Sequence, residues 1–389
     1  MTLTVFLGAL LLCAYVYFGY PALLYALARL RPRPVARRPV RPTVSLILPV
    51  HNEEAVIEEK LRNCGGLDYP PERLEVLVVS DGSTDRTEAI VALHEKPALR
   101  LVRRPRSGKA AALDEGVRQA RGEILAFTDA NAMLESQGLA AMVENFGDPE
   151  VGGVCGNKKL RSRAGADATE GGENLYWRYD KWQKALESAI GSIFAADGAF
   201  YAVRRELYVP IADPAQADDI AVSARVVLQG RRLVFEPRAV AWEDAPVEGR
   251  REFQRKVRVT NHSVRALVGL GRGLVASGFY SLELLSHKLL RHLVPFFLIP
   301  LFVSNALLAP HSPLFTGLLG LQVLFYASAL LGTALHGRRG GEGITRILAV
   351  PYYFCLVNAA AFLGVLSIVR GERVSAWAPR SGLRAPEEE

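Results

Sequence analysis

The chain has 389 residues, half of them hydrophobic, and a formal net charge of +7 at pH 7. That length can bury a large core and leaves room for more than one domain. The cysteines (Cys13, Cys64, Cys155 and Cys355) are scattered without metal spacing, which excludes a cysteine metal site and fits reduced structural thiols. Much of the excess positive charge is arginine crowded beside an apolar segment. That pattern suits anionic lipid headgroups and sets nucleic acid aside as a partner.

Thr2 to Leu30 is almost uncharged and exceeds the about 20 apolar residues that cross a bilayer. It has no basic n-region and no small-residue cleavage site, so it reads as a retained helix and not a signal peptide. Arg29, Arg31, Arg33, Arg37, Arg38 and Arg41 follow, and they place this flank and the next domain in the cytoplasm. Residues 31–42 form a Pro/Arg-rich, stiff linker. Strands are then predicted at Val44 to Pro49, Leu74 to Ser80, Leu99 to Val102 and Glu123 to Thr128. Helices are predicted between them at Glu53 to Asn63, Asp85 to His94 and Lys109 to Ala120, with Ser83 or Thr84 capping the second. Apolar runs separated by helices predict a parallel, doubly wound α/β sheet.

The second half is more mixed. Val151 to Leu160, Ala199 to Arg204 and Leu233 to Glu236 read as strands, Asn174 to Ile190 and Ala217 to Gln229 as helices. From Arg250 a basic amphipathic stretch, REFQRKVRV, leads to Ser281 to Arg291, and such helices lie along a membrane interface. Apolar runs at Leu293 to Ala309, Leu314 to Leu335 and Ile347 to Val369 predict further spans. His336, Arg338, Arg339 and Arg346 fit a cytoplasmic loop. Arg370, Arg373, Arg380 and Arg384 would hold the tail inside, which three full C-terminal spans do not allow, so one segment is expected to be interfacial or re-entrant. The expected divisions are 1–30, 31–42, 43–248, 249–291, 292–370 and 371–389.

Chemistry gathers at the strand ends. Val44 to Pro49 runs into His51-Asn52-Glu53-Glu54, Glu75 to Ser80 into Asp81, and Glu123 to Thr128 into Asp129-Ala-Asn131. Ligands of open α/β sheets bind at this carboxyl edge, so acids delivered there point to a metal-bound, phosphate-bearing substrate. An acid-x-acid turn can hold a divalent cation, with water and a diphosphate completing its coordination. Asn131 supplies an oxygen without charge, which weakens the pair; a helix cap is the structural alternative for Asp129.

Asp81-Gly-Ser-Thr-Asp85 can present a carboxylate to a nucleobase N–H or a ribose hydroxyl, or serve as a capping turn. Ser107-Gly-Lys109 opens a helix where backbone N–H groups and a cation suit phosphate, without P-loop glycine spacing. Gly269-Leu-Gly271-Arg-Gly273 follows no strand and is not a dinucleotide fingerprint. In Asp218-Asp219, repulsion can raise one pKa and make that residue a proton acceptor; acids favoured by a helix dipole are the alternative.

Taken in order, VSLILPVHNEE, VVSDGSTD, SGKAAALDEG, FTDANA, AADGAFYAVRRELY, ADDIAVSARVVLQGRRLVFEP and FQRKVRV resemble the membrane-bound glycosyltransferases of family two, relatives of cellulose, chitin and hyaluronan synthases. The resemblance covers Val44 to about Val259 and implies a GT-A fold, Rossmann-like with a mostly parallel sheet, flanked by transmembrane helices. It implies inverting transfer from a nucleotide-diphosphate sugar, UDP-linked, to a lipid-linked or glycan acceptor, with a divalent cation (Mg or Mn), at the inner membrane and with the catalytic domain in the cytoplasm. By the same resemblance, Pro49, Asn52, Glu53, Asp81, Lys109 and Asp129 meet the nucleotide sugar, and Asp129 and Asn131 the metal. Asp219 is the general base. Asp197, Gly198, Asp218, Gln254, Arg255 and Arg258 serve the acceptor or diphosphate, and the helix from Trp177 to Trp182 helps to form the acceptor pocket. Processive members carry Gln-x-x-Arg-Trp on the interfacial helix; Gln254 to Val259 here has no Trp. Addition of one or a few sugars is therefore expected, with processive synthesis and a non-catalytic, nucleotide-sugar-binding partner of a synthase as alternatives.

Overall fold

The structure is a computed structural model, and it describes residues 1–161, 168–213, 215–244, 249–335 and 344–372. His336, Arg338, Arg339, Arg373, Arg380 and Arg384, and the Arg346 side chain, lie outside the described residues, as do the charge expectations placed on them.

Eight strands form one sheet: β1 (Val44–Val50), β2 (Leu74–Asp81), β3 (Leu99–Arg104), β4 (Ile124–Thr128), β5 (Met133–Leu134), β6 (Val151–Arg161), β7 (Phe200–Arg204) and β8 (Arg232–Asp244), in the order β3-β2-β1-β4-β7-β6-β8-β5. Because successive strand residues face opposite sides, Leu46, Leu48, Val76, Val78, Ile124 and Ala126 pack with Ile57, Leu61, Leu139 and Met142 on one face. Ile47, Leu77, Val79, Leu125 and Phe127 pack with Ala112, Leu113, Val222 and Val226 on the other. Ile47, Leu77 and Leu125 are wholly buried, each contributing about 1.5–3 kcal/mol on transfer from water. Helices Ile57–Gly65 and Gly138–Val143 thus cover one face, Lys109–Gln119 and Asp218–Leu228 the other.

The sheet is mixed, not wholly parallel. β1 to β4 pair in parallel, and so do β6 and β8. β7 runs antiparallel to β4 and β6, with Phe200 opposite Thr128, and β5 antiparallel to β8. The apolar pattern of β7 reads the same in both directions. Its direction comes from the route of the chain, which arrives at the carboxyl edge beside Thr128.

Loop contacts shift two predicted helix starts. The first begins at Ile57, because the backbone N–H of Glu53 bonds Thr87 Oγ1 (2.8 Å) and that of Glu54 bonds Asp85 Oδ2 (3.1 Å). The second begins at Thr87, whose N–H is capped by Asp85 Oδ1 at 2.9 Å. Ser83 and Thr84, the expected caps, instead bond Asn52. β8 outruns its predicted end at Glu236 and continues to Asp244.

Among the described residues, four helices are long and apolar enough to span a membrane: Thr2–Leu30, Phe279–His311, Pro313–Thr333 and Ile347–Val369. Ser281 to Arg291, expected at the interface, is part of the second of these. Helix Gly249–Gly269 packs between Asp218–Leu228 and Ile344–Val369, so it joins the domain to the apolar helices. A buried polar junction makes a second join. Glu187 Oε1 accepts Tyr20 Oη–H at 2.7 Å and lies 2.6 Å from His287 Nδ1, while its Oε2 accepts Phe194 N–H at 3.2 Å.

The Asp129 turn is fastened from beneath by Lys60, fully buried on helix Ile57–Gly65. Its ammonium donates to Thr128 Oγ1 (3.0 Å) and to the Ala132 carbonyl, one on each side of the turn. Burial pushes its pKa down, against the opposing pull of Asp129. Lys60→Met keeps the stem and removes the donor. It should cost about 1–3 kcal/mol, read as a lower thermal midpoint of the full chain in detergent; an unchanged midpoint would show that the turn does not depend on Lys60.

Candidate active site

A cavity of about 650 Å³ opens at the carboxyl edge of the sheet. β1 brings Pro49 and the following Glu53, β4 leads to Asp129 and Asn131, and helix Lys109–Gln119 presents Lys109. Asp197 and Gly198 precede β7, and Asp218 and Asp219 open helix Asp218–Leu228. Arg255 and Arg258 reach it from helix Gly249–Gly269. Twelve residues singled out in the sequence therefore line one space: Pro49, Glu53, Lys109, Asp129, Asn131, Trp177, Asp197, Gly198, Asp218, Asp219, Arg255 and Arg258.

Asn52, Asp81 and Gln254 are not among the lining residues. Asn52, at φ 54°, ties its loop to Ser83 and Thr84. Asp81 is completely buried. Its Oδ2 accepts Gly108 N–H (2.8 Å) and Arg106 (2.9 Å), and its Oδ1 accepts Ser107 N–H (2.9 Å). It thus holds in place the Arg106–Gly108 loop, which does line the cavity. Gly82 permits this approach: its φ is +65°, and a Cβ there would lie 2.8 Å from Arg106 N. Gln254 is on the exposed side of its helix. Trp177 faces the cavity while Trp182 is 44% exposed.

Lys109 is the electrostatic centre. Its Nζ lies 2.8 Å from Asp129 Oδ1 and 3.1 Å from Asp218 Oδ2. Burial disfavours its charge, but Asp129 and Asp218 outweigh burial and hold its pKa above the usual lysine value. Asp219 differs from its neighbours. Gly198 N–H donates to its Oδ2 at 3.1 Å and Ile220 N–H to its Oδ1 at 2.8 Å. Its carboxyl is pushed up to about 6, by burial first and then by Asp218 and Asp197, with Lys109 and Lys288 pulling the other way. A half-buried carboxyl that titrates close to neutral pH, inside a cleft, has the properties of a proton acceptor.

Several lining residues carried no legible signal. Lys158 (paired with Glu243 at 2.9 Å), Lys184 and Lys288 add positive charge to the lining, and His292 adds an imidazole. Lys184 and Lys288 stand on helical stretches where a lysine reads as solvated; only the folded contact between three helices turns them inward. Arg255 is 2.7 Å from the buried Glu252, so its guanidinium is held in place on the cavity wall.

Among the described residues no group of three or more His, Cys, Asp or Glu side chains could enclose a metal ion. The Asp129 carboxylate and the Asn131 amide nevertheless share one wall with Ser107, Gly108 and Lys109. This donor set is too sparse for a resident ion and fits a cation that arrives with diphosphate oxygens.

Residues 45–209 match the family model described as "Glycosyl transferase family 2". The chain is 29% identical over 223 residues to the "Probable glycosyltransferase YdaM" of Bacillus subtilis (strain 168), covering 53% of this chain and 51% of that protein. It is 29% identical over 212 residues to the "Poly-beta-1,6-N-acetyl-D-glucosamine synthase" of Staphylococcus aureus (strain COL), covering 52% and 50%. The chain spans about half the length of the curated relatives it matches. Among solved structures, a mannosyltransferase from Pyrobaculum calidifontis, in complex with GDP-Man and Mn2+, is similar with a TM-score of 0.72 and 27% identity. That likeness covers 95% of this chain and 99% of the other, so it takes in the flanking apolar helices as well as the sheet. Residues 45–209 are a glycosyltransferase family 2 domain of GT-A fold, flanked among the described residues by four potential membrane helices.

Proposed function

We propose that the protein is a membrane-bound, inverting glycosyltransferase that moves a sugar from a nucleotide-diphosphate donor to a hydroxyl of a lipid-linked or glycan acceptor. The observation that carries this reading is the half-buried Asp219 carboxyl, raised to about 6 and set beside Lys109, Asp129 and Asp218 in one cleft. The solved relative with GDP-Man supports a nucleotide-sugar donor.

The donor lies along Pro49, Glu53 and the Arg106–Gly108 loop, with Asp81 positioning that loop from behind. Lys109, Arg255 and Arg258 face the diphosphate. A divalent cation held by Asp129 and Asn131, when bound, neutralises charge on the departing diphosphate. Asp219 takes the proton of the acceptor hydroxyl as that oxygen bonds to the anomeric carbon. The bond from that carbon to the diphosphate oxygen breaks on the opposite face, and its electron pair leaves with the nucleotide diphosphate. Attack opposite the leaving group inverts the anomeric centre. Gly198 leaves room on the acceptor side; a Cβ there would lie 3.6 Å from Asp219 Oδ2.

Lys288 and His292 of one potential membrane helix and Val357 of another line the same cavity, which supports an acceptor arriving from the bilayer. The arginines after Leu30 support a multi-pass protein of the inner membrane with the domain on the cytoplasmic side. The Staphylococcus relative's name favours polymer synthesis as a second reading. Counted from Gln254, the Trp of Gln-x-x-Arg-Trp falls at Arg258 here, although Trp177 places an indole on the cavity wall.

Purified full chain in detergent, given a panel of UDP- and GDP-sugars with Mg2+ or Mn2+, should release nucleotide diphosphate with at least one donor; no release across the panel would overturn the reading. Asp219→Asn should lower kcat by roughly 10²–10⁴-fold, and undiminished turnover would remove Asp219 as the base. Asp129→Ala should raise the cation concentration for half-maximal rate by roughly 10- to 100-fold. An unaltered cation titration would place the metal elsewhere.

A further inference from the structure

A second cavity, of about 930 Å³, lies on the other rim of the sheet. It sits where β1 and β4 begin and β7 ends, so Pro42, Ile124 and Arg204 line it, whereas the opposite ends of the same strands feed the catalytic cleft. Five arginines line it: Arg41, Arg73, Arg121, Arg204 and Arg205. Glu123 and Glu206 are the acids on its wall.

Among the described residues, other arginines pair with a carboxylate, Arg33, Arg100 and Arg238 among them. Among the described residues, none of these five forms such a pair. Three of them brace the walls through neutral carbonyls. Arg204 donates to Val151 O (2.8 Å) and Phe146 O (2.8 Å), Arg73 to Arg41 O, and Arg41 to Val40 O (3.2 Å). Glu123 accepts the Thr43 hydroxyl at 3.1 Å. The side chains of Arg121 and Arg205 are exposed at the rim. Five arginines against two acids leave the wall with a net positive charge, and guanidinium forks match phosphate oxygens in pairs.

We infer that this rim cavity is a binding site for a compound carrying two or more phosphate groups, distinct from the donor site and independent of the proposed transfer reaction. Two sources share that chemistry: a soluble polyphosphorylated metabolite and an anionic lipid headgroup. The linker that supplies Arg41 starts at Leu30, the end of a potential membrane helix, so both can reach the rim.

The test is calorimetric titration of the full chain with inorganic triphosphate. Wild-type protein should show two classes of site. Arg121→Gln with Arg205→Gln should lose one class, or weaken it by about tenfold or more, with thermal midpoint and nucleotide diphosphate release unchanged. Arg255→Gln with Arg258→Gln should keep that class and lose the other. An Arg121/Arg205 variant whose isotherm superimposes on the wild type's would overturn the inference, as would a single class of site that only the Arg255/Arg258 variant abolishes. Repeating the titration in phosphatidylglycerol and phosphatidylcholine nanodiscs separates the sources. Loss of rim binding in phosphatidylglycerol alone assigns the headgroup; retention in both assigns the soluble compound.

Discussion

The contact of Lys109 with Asp129 and Asp218 is the constraint on which the rest of the site depends. Among the described residues six aspartates line the cleft, and four of them, Asp129, Asp197, Asp218 and Asp219, come to it from three parts of the chain. Buried like charges disfavour one another, so this convergence is stable only around a cation. Lys109 supplies it at the first position of its helix, and the cost of burying its ammonium is offset by the carboxylates it touches. The same contact divides the labour among the acids. Asp129 and Asp218 contact Lys109 directly, while burial, then Asp218 and Asp197, raise the Asp219 carboxyl to about 6.

The cleft has no complete wall without the apolar helices. Asp180 and Lys184 on helix Ala168–Ile190 face it, as do Lys288 and His292 on Phe279–His311. These two helices are pinned by His287, placed between Glu187 (2.6 Å) and Asp180 (3.3 Å), with Tyr20 of the first apolar helix closing the group. Asp180 is held well below the usual carboxylate range: burial works against its charge, but Lys184, His287 and Arg291 prevail. Breaking one member would leave a buried charge without its partner, which is far more costly than replacing the whole group. The geometry of the acceptor side therefore depends on the join between the domain and the four potential membrane helices.

Much of this was legible before folding, for physical reasons that differ by element. β1, β2 and β4 carry apolar side chains on both faces and end in acids, and period-two burial at a carboxyl edge converts that pattern directly into a site. Strand direction was not legible. β7 is apolar whichever way it runs, and tertiary routing makes it antiparallel. Asp81 was expected at the nucleoside, but its carboxylate is occupied by the Ser107 and Gly108 amides and Arg106, and an acid after a strand looks the same whether it faces ligand or loop. Lys60 and Lys184 were invisible because a lysine on an amphipathic helix reads as solvated; their burial follows from folded contacts, such as Lys60 with Thr128 and Lys184 with Phe194.

The most direct measurement is the pH dependence of kcat for the wild type and for Lys109→Met. A carboxyl pushed up to about 6 must be ionised to accept a proton, so the wild-type rate should fall as pH drops through about 6. Lys109 draws that value downward, and its removal should move the acid limb to higher pH. A wild-type profile flat from about pH 5 to 8, or an acid limb that stays in place when Lys109 is removed, would contradict the assignment of Asp219 as a base poised by that lysine.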